Sequence, residues 1–571
     1  MKTGTLKTTK TMRAVPVALA LAIVACVGAK EEAKKELAAA QPMAEQKAGA
    51  AAGAASAAAG ASDGGMLDKA KAGAVAAEQA VVAPPPPSTP DAEFRAKKPE
   101  PLAVQPRFEA PVPVEKKLKN GARVLIAENH QLPLVAIDVV ILAGVNAEPL
   151  AQPGLAGFVA DMLDEGTKAR TATQLAEETE NLAAQISASA GFESSRVHLN
   201  CLAETLPKAL DLLADLVQNP AFRAEDLERV RGLELTSLAQ KKASPVAIAT
   251  DEINRQLYSE KNPWGQPAGG TPETLKAITA ADLTKFHSTW YRPNNAVISV
   301  SGDVKVAEIT KLLEERFKGW AAKRVPKITR APLPELKTRT LTALDKPGMT
   351  QSQVWLAGRL FPAKDADAVP MRVANLIVGG LFTSRLNMNL REKHGYSYGV
   401  RSNASLSKDV GAFTAGGGIV AKNTVDSVTE FENEVGAFAK TGEVSDDELA
   451  QAKEAYTRAL PSLLETNDSV SGAFGNVAVL GLPLDYYKKL PAQIAKVGKA
   501  DVARVSKKWL KPEAWPVVIV GPVSAMQEGL DKLGLGKVTV KPASQATPAA
   551  AKPAAAAAPA AKPSTATPPA K

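Results

Sequence analysis

The sequence predicts an α+β fold of two homologous domains, each a mostly antiparallel sheet covered by helices. Two stretches match without gaps at a spacing of 219 residues: ADLTKFHSTWYRPNNAVISVSGDV from Ala281 and ADVARVSKKWLKPEAWPVVIVGPV from Ala500. Each copy has the pattern of a helix, a turn marked by Pro, and a β-branched strand that ends in Gly. A repeat of this length indicates two related domains and not a solenoid of short repeats.

The elements around these anchors follow a similar order in both halves. In the first half we predict two strands in VLIAENHQLPLVAIDVVILAG, a helix in GLAGFVADMLDEGT, strands near Ser187–Leu202 and a long helix over Leu206–Lys242. In the second half we predict a strand in SQVWLAGRL, a helix over Val369–Glu392 with a Gly-Gly interruption, a Gly-rich strand in GAFTAGGGIVAK, and a helix over Asp446–Leu464. Such a mixture of strand runs and helix runs favours an α+β fold.

Composition sets the domain limits. Residues 29–106 are dominated by Ala, Lys, Glu, Gly and Pro, and residues 541–571 by Ala, Pro, Lys, Ser and Thr. Neither segment holds enough large apolar residues to offset the entropy of ordering it. We therefore predict a signal peptide at 1–26, a disordered linker at 27–110, domains at 111–325 and 326–540, and a disordered tail at 541–571. The Pro-, Lys- and Arg-rich segment Lys323–Leu341 joins the two domains.

The net charge of +9 lies mainly outside the predicted domains. Residues 1–110 contribute +3 and residues 541–571 contribute +4, so residues 111–540 carry only +2. A domain pair so nearly balanced has no excess of positive charge for phosphate binding, and we expect no nucleic-acid partner.

The first 26 residues have the pattern of an export signal. Four basic residues precede the apolar run Ala14–Ala25, which is too short for a permanent membrane span. The ending IVAC resembles a bacterial lipobox, so we predict lipidation of Cys26; the alternative is an ordinary cleaved signal with an incidental Cys. This implies a periplasmic chain held at a membrane, and Val27 in place of Asp favours the outer one. Cys201 is then alone, which excludes an internal disulfide, and its alternating surroundings predict a buried strand residue.

The helix predicted in GLAGFVADMLDEGT has one apolar face. It begins at Gly154, behind a Pro, and ends at Gly166. Five apolar residues fall at i, i+3, i+4, i+7 and i+8, which is one buried stripe: Leu155, Phe158, Val159, Met162 and Leu163.

This helix resembles the active helix of the insulinase/pitrilysin-type inverzincin peptidases, which include mitochondrial processing peptidase and its bacterial relatives. The family helix has the form G-L-A-H-F-L-E-H-M-L-F-K-G-T, in which the two His bind zinc and the Glu acts as general base. On that pattern Gly157 and Asp161 stand where the His residues should be, and Ala160 stands at the Glu. The resemblance therefore implies the family fold without its catalytic motif.

The resemblance also implies that the third zinc ligand, a Glu on a later helix, is missing. In DLERVRGLEL, Val230 stands at its position, and a small shift of the alignment would bring in Glu228 or Glu234 instead. Catalytic zinc needs about three protein ligands, and one carboxylate at Asp161 does not provide them. We therefore expect no catalytic residue, no metal site and no peptidase activity of the chain alone. The four histidines are too far apart in sequence to form a relocated motif: His130, His198, His287 and His394.

The segment Phe382–Ser402 resembles the second domain of the same family, where the pattern is S-R-L-x-x-x-L-R-E-K-x-G-L-A-Y-S. Arg391 and Tyr398 match a pair that in the family contacts the substrate backbone, and both side chains can donate to peptide carbonyls. The alternative is that Arg391 belongs to a charge cluster at a helix end and Tyr398 packs in a strand. In Gly411–Lys422 small side chains predict a backbone open to strand addition by a peptide, or a weakened or bulged strand.

In several members of this family two chains pair into a chamber, and one of them has a degenerate zinc helix. The resemblance implies that this chain is such a non-catalytic subunit, and that it helps to orient a peptide or unfolded protein for an active H-x-x-E-H partner. Zinc is then expected only in the partner. Two alternatives stay open: a binding or scaffolding protein on an inactive peptidase fold, and a metallopeptidase with an atypical site.

Overall fold

Two six-stranded sheets follow one another along the chain in the computed structural model, which describes residues 108–536 and 538–543. The first sheet has the order β1-β2-β6-β3-β5-β4, and only the β2–β6 pair is parallel. Its strands are β1 Val114–Lys117, β2 Arg123–Glu128, β3 Leu134–Ile141, β4 Gln185–Ala190, β5 Ser195–Leu202 and β6 Ala296–Gly302.

The second sheet repeats this order in five of its six strands, and the edge strand differs, because β1 opens the first half whereas β12 closes the second. The order is β12-β7-β11-β8-β10-β9, and β7 pairs in parallel with both β11 and β12. Its strands are β7 Leu341–Asp345, β8 Gln351–Leu360, β9 Val400–Ser405, β10 Gly411–Val420, β11 Val517–Gly521 and β12 Val538–Pro542. Most pairs in both sheets are antiparallel, so the predicted α+β class with two related halves is confirmed.

Helices cover the two sheets. Those of the first half are α1 Leu155–Asp161, α2 Ala172–Asn181, α3 Leu206–Gln218, α4 Ala224–Ala243, α5 Pro245–Tyr258, α6 Pro272–Ala277, α7 Ala280–Trp290 and α8 Val306–Arg316. Those of the second half are α9 Ala368–Asn375, α10 Arg385–Asn387, α11 Thr424–Thr441, α12 Asp446–Ala459, α13 Asn467–Leu480, α14 Tyr486–Lys496, α15 Lys499–Trp509 and α16 Gln527–Lys532. The repeat found in the sequence corresponds to α7 with β6 and α15 with β11.

The two halves exchange one helix each. Helix α5 comes from the first half but packs on the second sheet, where Ile248 and Ile253 join a cluster with Ala357 and Val518. Helix α13 comes from the second half but packs on the first sheet, where Phe474 joins a cluster with residues of β2 and β6. Both faces of the central strands are therefore covered, which explains their unbroken apolar runs.

Three predicted helices were too long. The segment Leu206–Lys242 forms α3 and α4, because Pro220 lies between them and Phe222 adopts a positive φ of 47°. The segment Val369–Glu392 is divided into α9, α10 and the π-helical turns Leu376–Gly380 and Met388–Lys393. The helix predicted to reach Leu464 ends as α12 at Ala459, just before a Pro.

The predicted link between the halves runs without helix or strand from residue 321 until β7 begins at Leu341. The predicted signal peptide with Cys26, nearly all of the predicted linker, and residues 544–571 of the tail lie outside the described residues. Within 108–536 and 538–543, no helix combines the length and the apolar character that a membrane crossing requires.

Candidate functional site

Helix α1 is the centre of the candidate site, and its apolar stripe is buried as predicted. Each of the five predicted stripe residues is at most 2 % exposed, and the last two, Met162 and Leu163, lie in the turns that follow the helix. The helix begins after Gly154, whose φ of +95° lies in the left-handed region, and it ends at Asp161, earlier than predicted, with turns up to Glu165. An added Cβ at Gly154 would lie 3.0 Å from the Gly269 carbonyl oxygen, so the close approach of that loop also favours Gly.

A buried carboxyl group holds the start of this helix. Glu148 accepts hydrogen bonds from the backbone N–H groups of Ala156 at 2.7 Å and Gly154 at 3.2 Å. Burial raises the pKa of Glu148 to about 8, and the two N–H donors act against that rise. This contact could not be predicted from the sequence, because Glu148 lies six to eight residues before its partners and outside the usual capping-box spacing.

The three degenerate motif positions lie on this helix at i, i+3 and i+4. Ala160 is buried, whereas Gly157 and Asp161 are partly exposed. An added Cβ at Gly157 would meet no atom within 4 Å, so the space beside Asp161 is open where the family places its first His.

The structure decides which residue of α4 faces Asp161. Val230, expected at the third-ligand position, lies in the core at 4 % exposure, and the Glu228 side chain is 67 % exposed and paired with Arg231. Glu234 is the residue whose charge acts on Asp161. The burial of Val230 in the core favours the shifted alignment that brings in Glu234, and the position of the third ligand stays a prediction.

Asp161 lies among acidic residues and is partly shielded from solvent. Burial, together with the charges of Glu234 and Asp164, raises the pKa of Asp161 to about 7. The side chain of Tyr291 is 1 % exposed, and its pKa is raised by burial and by the charge of Asp161. Tyr291 was not predicted as part of the site, since nothing in the repeat distinguishes it from a core aromatic residue.

This donor set does not fit catalytic zinc. Gly157 and Ala160 offer no donor atom, so Asp161 and Glu234 supply two oxygen ligands where about three ligands and an open position are needed. Across the described part of the chain, no group of three or more His, Cys, Asp and Glu residues is placed to hold a metal ion.

The histidines have other partners. His287 Nε2 bonds to the Val217 carbonyl at 2.9 Å, and burial lowers the pKa of His287 to about 4. His130 is exposed, as predicted. His394 was expected in solvent, but its side chain is only 24 % exposed and its ring stacks on Tyr396 at 4.9 Å.

The second motif presents a side chain to solvent. Tyr398 is 84 % exposed and precedes β9, so the alternative that it packs in a strand is wrong. Arg391 lies in the last turn of a π-helical segment, 4.6 Å from the ring centroid of Phe382, and pairs with Glu392 at 3.2 Å. The predicted charge cluster at a helix end is therefore present, and the guanidinium is also held by an aromatic ring.

Strand β10 cannot accept a peptide, contrary to the prediction from its glycines. It pairs with β8 on one side and β9 on the other, so its backbone donors and acceptors are already used. An added Cβ at Gly416 would lie 2.2 Å from the Val354 carbonyl oxygen, and one at Gly417 would lie 2.8 Å from the Gly399 oxygen. The glycines therefore allow close approach within the sheet.

Comparison with known proteins follows the same two halves. Residues 123–269 match the family described as insulinase (peptidase family M16), and residues 277–456 match the peptidase M16 inactive domain. The chain belongs to the M16 peptidase family. It is an M16 chain without the zinc motif, since Gly157, Ala160 and Asp161 replace the three motif residues.

Two bacterial relatives match this chain over most of their own length. The chain is 27% identical to an uncharacterized zinc protease, YmxG, of Bacillus subtilis, over 72% of this chain and 98% of the relative. It is 28% identical to the non-peptidase homolog YmxG of Helicobacter pylori, over 66% of this chain and 87% of the relative.

Two solved structures share the fold. A peptidase M16 inactive domain from Pseudomonas fluorescens has a TM-score of 0.67 at 24% identity and covers 75% of this chain and 99% of its own. The first half of the periplasmic protease PqqL from Escherichia coli has a TM-score of 0.61 at 16% identity. It covers 76% of this chain and 100% of its own.

Proposed function

We propose that this M16 chain is the non-catalytic subunit of a two-chain zinc peptidase. It forms part of a chamber and orients a peptide or unfolded protein for a partner of the same family with an intact H-x-x-E-H helix. The observation that carries the proposal is the donor set at α1, where Gly157 and Ala160 cannot bind metal or move a proton. Zinc and the general base then come from the partner.

The preserved helix supports a structural role for α1. Its apolar stripe is buried and Glu148 still binds its first N–H groups, although the catalytic side chains are absent. A helix that served only catalysis would have no reason to retain these contacts, whereas a wall of the chamber needs them. The Helicobacter pylori relative is named a non-peptidase homolog, which agrees with this proposal.

Arg391 and Tyr398 are the residues that we propose for substrate contact. The Tyr398 hydroxyl is free to donate to a peptide carbonyl, because the side chain is largely in solvent. Arg391 can turn from Glu392 to a substrate carbonyl while its guanidinium stays over the Phe382 ring. An extended peptide would then be held by its backbone, with little dependence on its sequence.

The predicted lipid anchor belongs to this proposal. Lipidation at Cys26 would hold the subunit at the periplasmic side of a bacterial membrane, with the outer membrane favoured by Val27. The substrate would then be an exported peptide or unfolded protein, and the heterodimer would act in the periplasm.

The first test is affinity capture of the full-length chain from its own membranes, with mass spectrometry of the proteins that remain bound. A stoichiometric M16 partner with H-x-x-E-H is the expected result. Capture without such a partner would refute the two-chain proposal and leave a peptide-binding or scaffolding protein. Metal-dependent hydrolysis by the chain alone, lost in Asp161→Ala, would instead indicate a metallopeptidase with an atypical site.

The second test uses the reconstituted pair. Arg391→Ala and Tyr398→Phe should each lower kcat/KM for peptide hydrolysis by about tenfold or more, because a donor to the substrate backbone is lost. Arg401→Ala is the matched control, since Arg401 is an exposed residue of β9 outside the motif pair. Equal losses in Arg401→Ala and Arg391→Ala would contradict the assigned roles.

A further inference from the structure

The small net charge of residues 111–540 conceals an uneven distribution. Residues 485–513, which contain α14 and α15, hold eight Lys and Arg against three Asp and Glu, a net charge of +5. The rest of 111–540 therefore carries −3, although the whole region carries +2. Positive charge is concentrated on two consecutive helices of the second half.

Helix α15 turns one side to the core and a basic side to solvent. Val502 and Val505 are fully buried. At about 100° per residue, the basic positions around the helix fall within roughly half a turn on the opposite side. These residues, all exposed, are Lys499, Arg504, Lys507 and Lys508, and the exposed Lys511 follows the helix by two residues.

Two open surface cavities flank α15 and extend this basic side. The first has a volume of about 540 Å³, and its cationic lining residues are Arg339, Lys440, Lys507 and Lys511. The second has a volume of about 500 Å³, and its cationic lining residues are Lys364, Lys496 and Arg504. We call the residues of α15 and these two linings the basic face.

Several carboxylates in or next to the basic face are already neutralised. Glu432, in the first cavity, binds Arg339 at 2.6 Å, and both side chains are largely buried. Asp367 accepts from Lys508 at 2.9 Å and also binds Arg504. Three further acids line the cavities: Asp365 and Asp501 in the second, and Glu513 in the first.

Five ammonium groups of the basic face have no carboxylate within 4 Å in the described part of the chain: Lys364, Lys440, Lys496, Lys507 and Lys511. Lys511 donates to the Lys507 carbonyl oxygen at 2.7 Å near the end of α15, and no ion pair within the described residues fixes the other four ammonium groups. Dispersed point charges of this kind suit an extended anionic surface, whereas a single bound phosphate is more often held by the fork of an Arg.

We propose that the basic face docks on an anionic phospholipid surface, with headgroup phosphates entering the two cavities. Each lysine near such a surface strengthens partition by about fivefold, and the attraction weakens with salt. The face lies in the second half, far along the chain from the predicted anchor at Cys26, so it would fix how the folded part lies on the membrane. A lipid anchor alone does not determine that orientation.

The test measures partition of the chain from Cys26 to Lys571, made without acylation, into vesicles. This chain contains every strand and helix described above. Vesicles of phosphatidylcholine mixed equally with phosphatidylglycerol should bind it, and vesicles of phosphatidylcholine alone should not. The triple variant Lys440→Ala, Lys507→Ala, Lys511→Ala should lower the partition by at least about tenfold.

A matched control removes three exposed lysines of the first half: Lys208→Ala, Lys311→Ala, Lys318→Ala. It loses the same total charge and should keep most of the binding. Thermal unfolding at the wild-type temperature shows that both variants are folded. Equal losses in the two triple variants, equal binding to both kinds of vesicle, or binding of inorganic phosphate without any vesicle binding would each overturn the proposal.

Discussion

Replacing Glu148 by Gln tests how the degenerate helix is held. Glu148 is 8 % exposed, and its carboxyl group accepts from two N–H groups at the start of α1. Its pKa rises from the ordinary 4.5 to about 8 through burial. A group whose pKa is raised in the folded state contributes its full stability below 4.5 and loses it as the pH rises through 8, because the unfolded chain then releases the proton more readily.

The magnitude follows from the two pKa values. Between pH 4.5 and about 8 the free energy of unfolding should fall by about 1.4 kcal/mol per pH unit from this group, or by about 3 kcal/mol at pH 7. Glu148→Gln removes the titration and keeps one acceptor for the two N–H groups. At low pH the Glu148→Gln variant should therefore be about 1 kcal/mol less stable than wild type, because the second N–H group loses its acceptor. As the pH rises, the variant should gain stability relative to wild type.

Urea unfolding at several pH values measures this difference. Glu177→Gln, in an exposed residue of α2, is the control and should follow wild type throughout. The reasoning fails if wild type and Glu148→Gln have parallel pH profiles between pH 4.5 and 8. Glu148→Ala should be less stable than Glu148→Gln at every pH, because both N–H groups then lie buried without an acceptor.

Three further predictions concern the same fold. His198 lies between two carboxylates, Asp138 and Asp468, and its hydrogen bonds to them raise its pKa. The stabilisation of the fold by His198 should therefore be complete below pH 6.5 and be lost as the pH rises further. In urea unfolding, the stabilities of wild type and His198→Gln should converge at the higher pH. Asp161→Asn should be more stable than wild type at pH 8 and not at pH 4, because it removes a charge that is partly buried and lies near the charge of Glu234. Thermal unfolding at both pH values checks this. Gly416→Ala should lower the free energy of unfolding in urea by about 2 kcal/mol or more, whereas Gly436→Ala, where a Cβ meets no atom, should raise it by up to about 1 kcal/mol.

The sequence was sufficient for the fold class because its strongest signals are local and repeated. The copy at a spacing of 219 residues marked α7 with β6 and α15 with β11, and these elements are where they were expected. Helix lengths were less accurate, since a hydrophobic period continues across Pro220 although the backbone turns there. Hydrophobic periodicity indicates which side of a segment is apolar, but it does not indicate where the helix ends.

The candidate site could be predicted only in part. The loss of ligands at Gly157 and Ala160 is evident from residue types, because neither side chain has a donor atom. The pairing of Asp161 with Glu234 needed the structure, since it depends on which turn of α4 faces α1. The strand addition predicted for β10 failed because a row of glycines looks the same at a sheet edge and between two paired strands.

The helix exchange affects folding during synthesis on the ribosome, because a helix that covers the first sheet is made long after that sheet. The first sheet is complete once β6 has emerged at Gly302, yet α13, which covers it, begins only at Asn467. At ordinary rates of translation the delay is roughly 10–30 s. Throughout that interval Leu125, Ala127 and Val297 lack the apolar partners that α13 later supplies. A chain that stops after the first domain would therefore be prone to aggregate instead of forming a smaller stable protein.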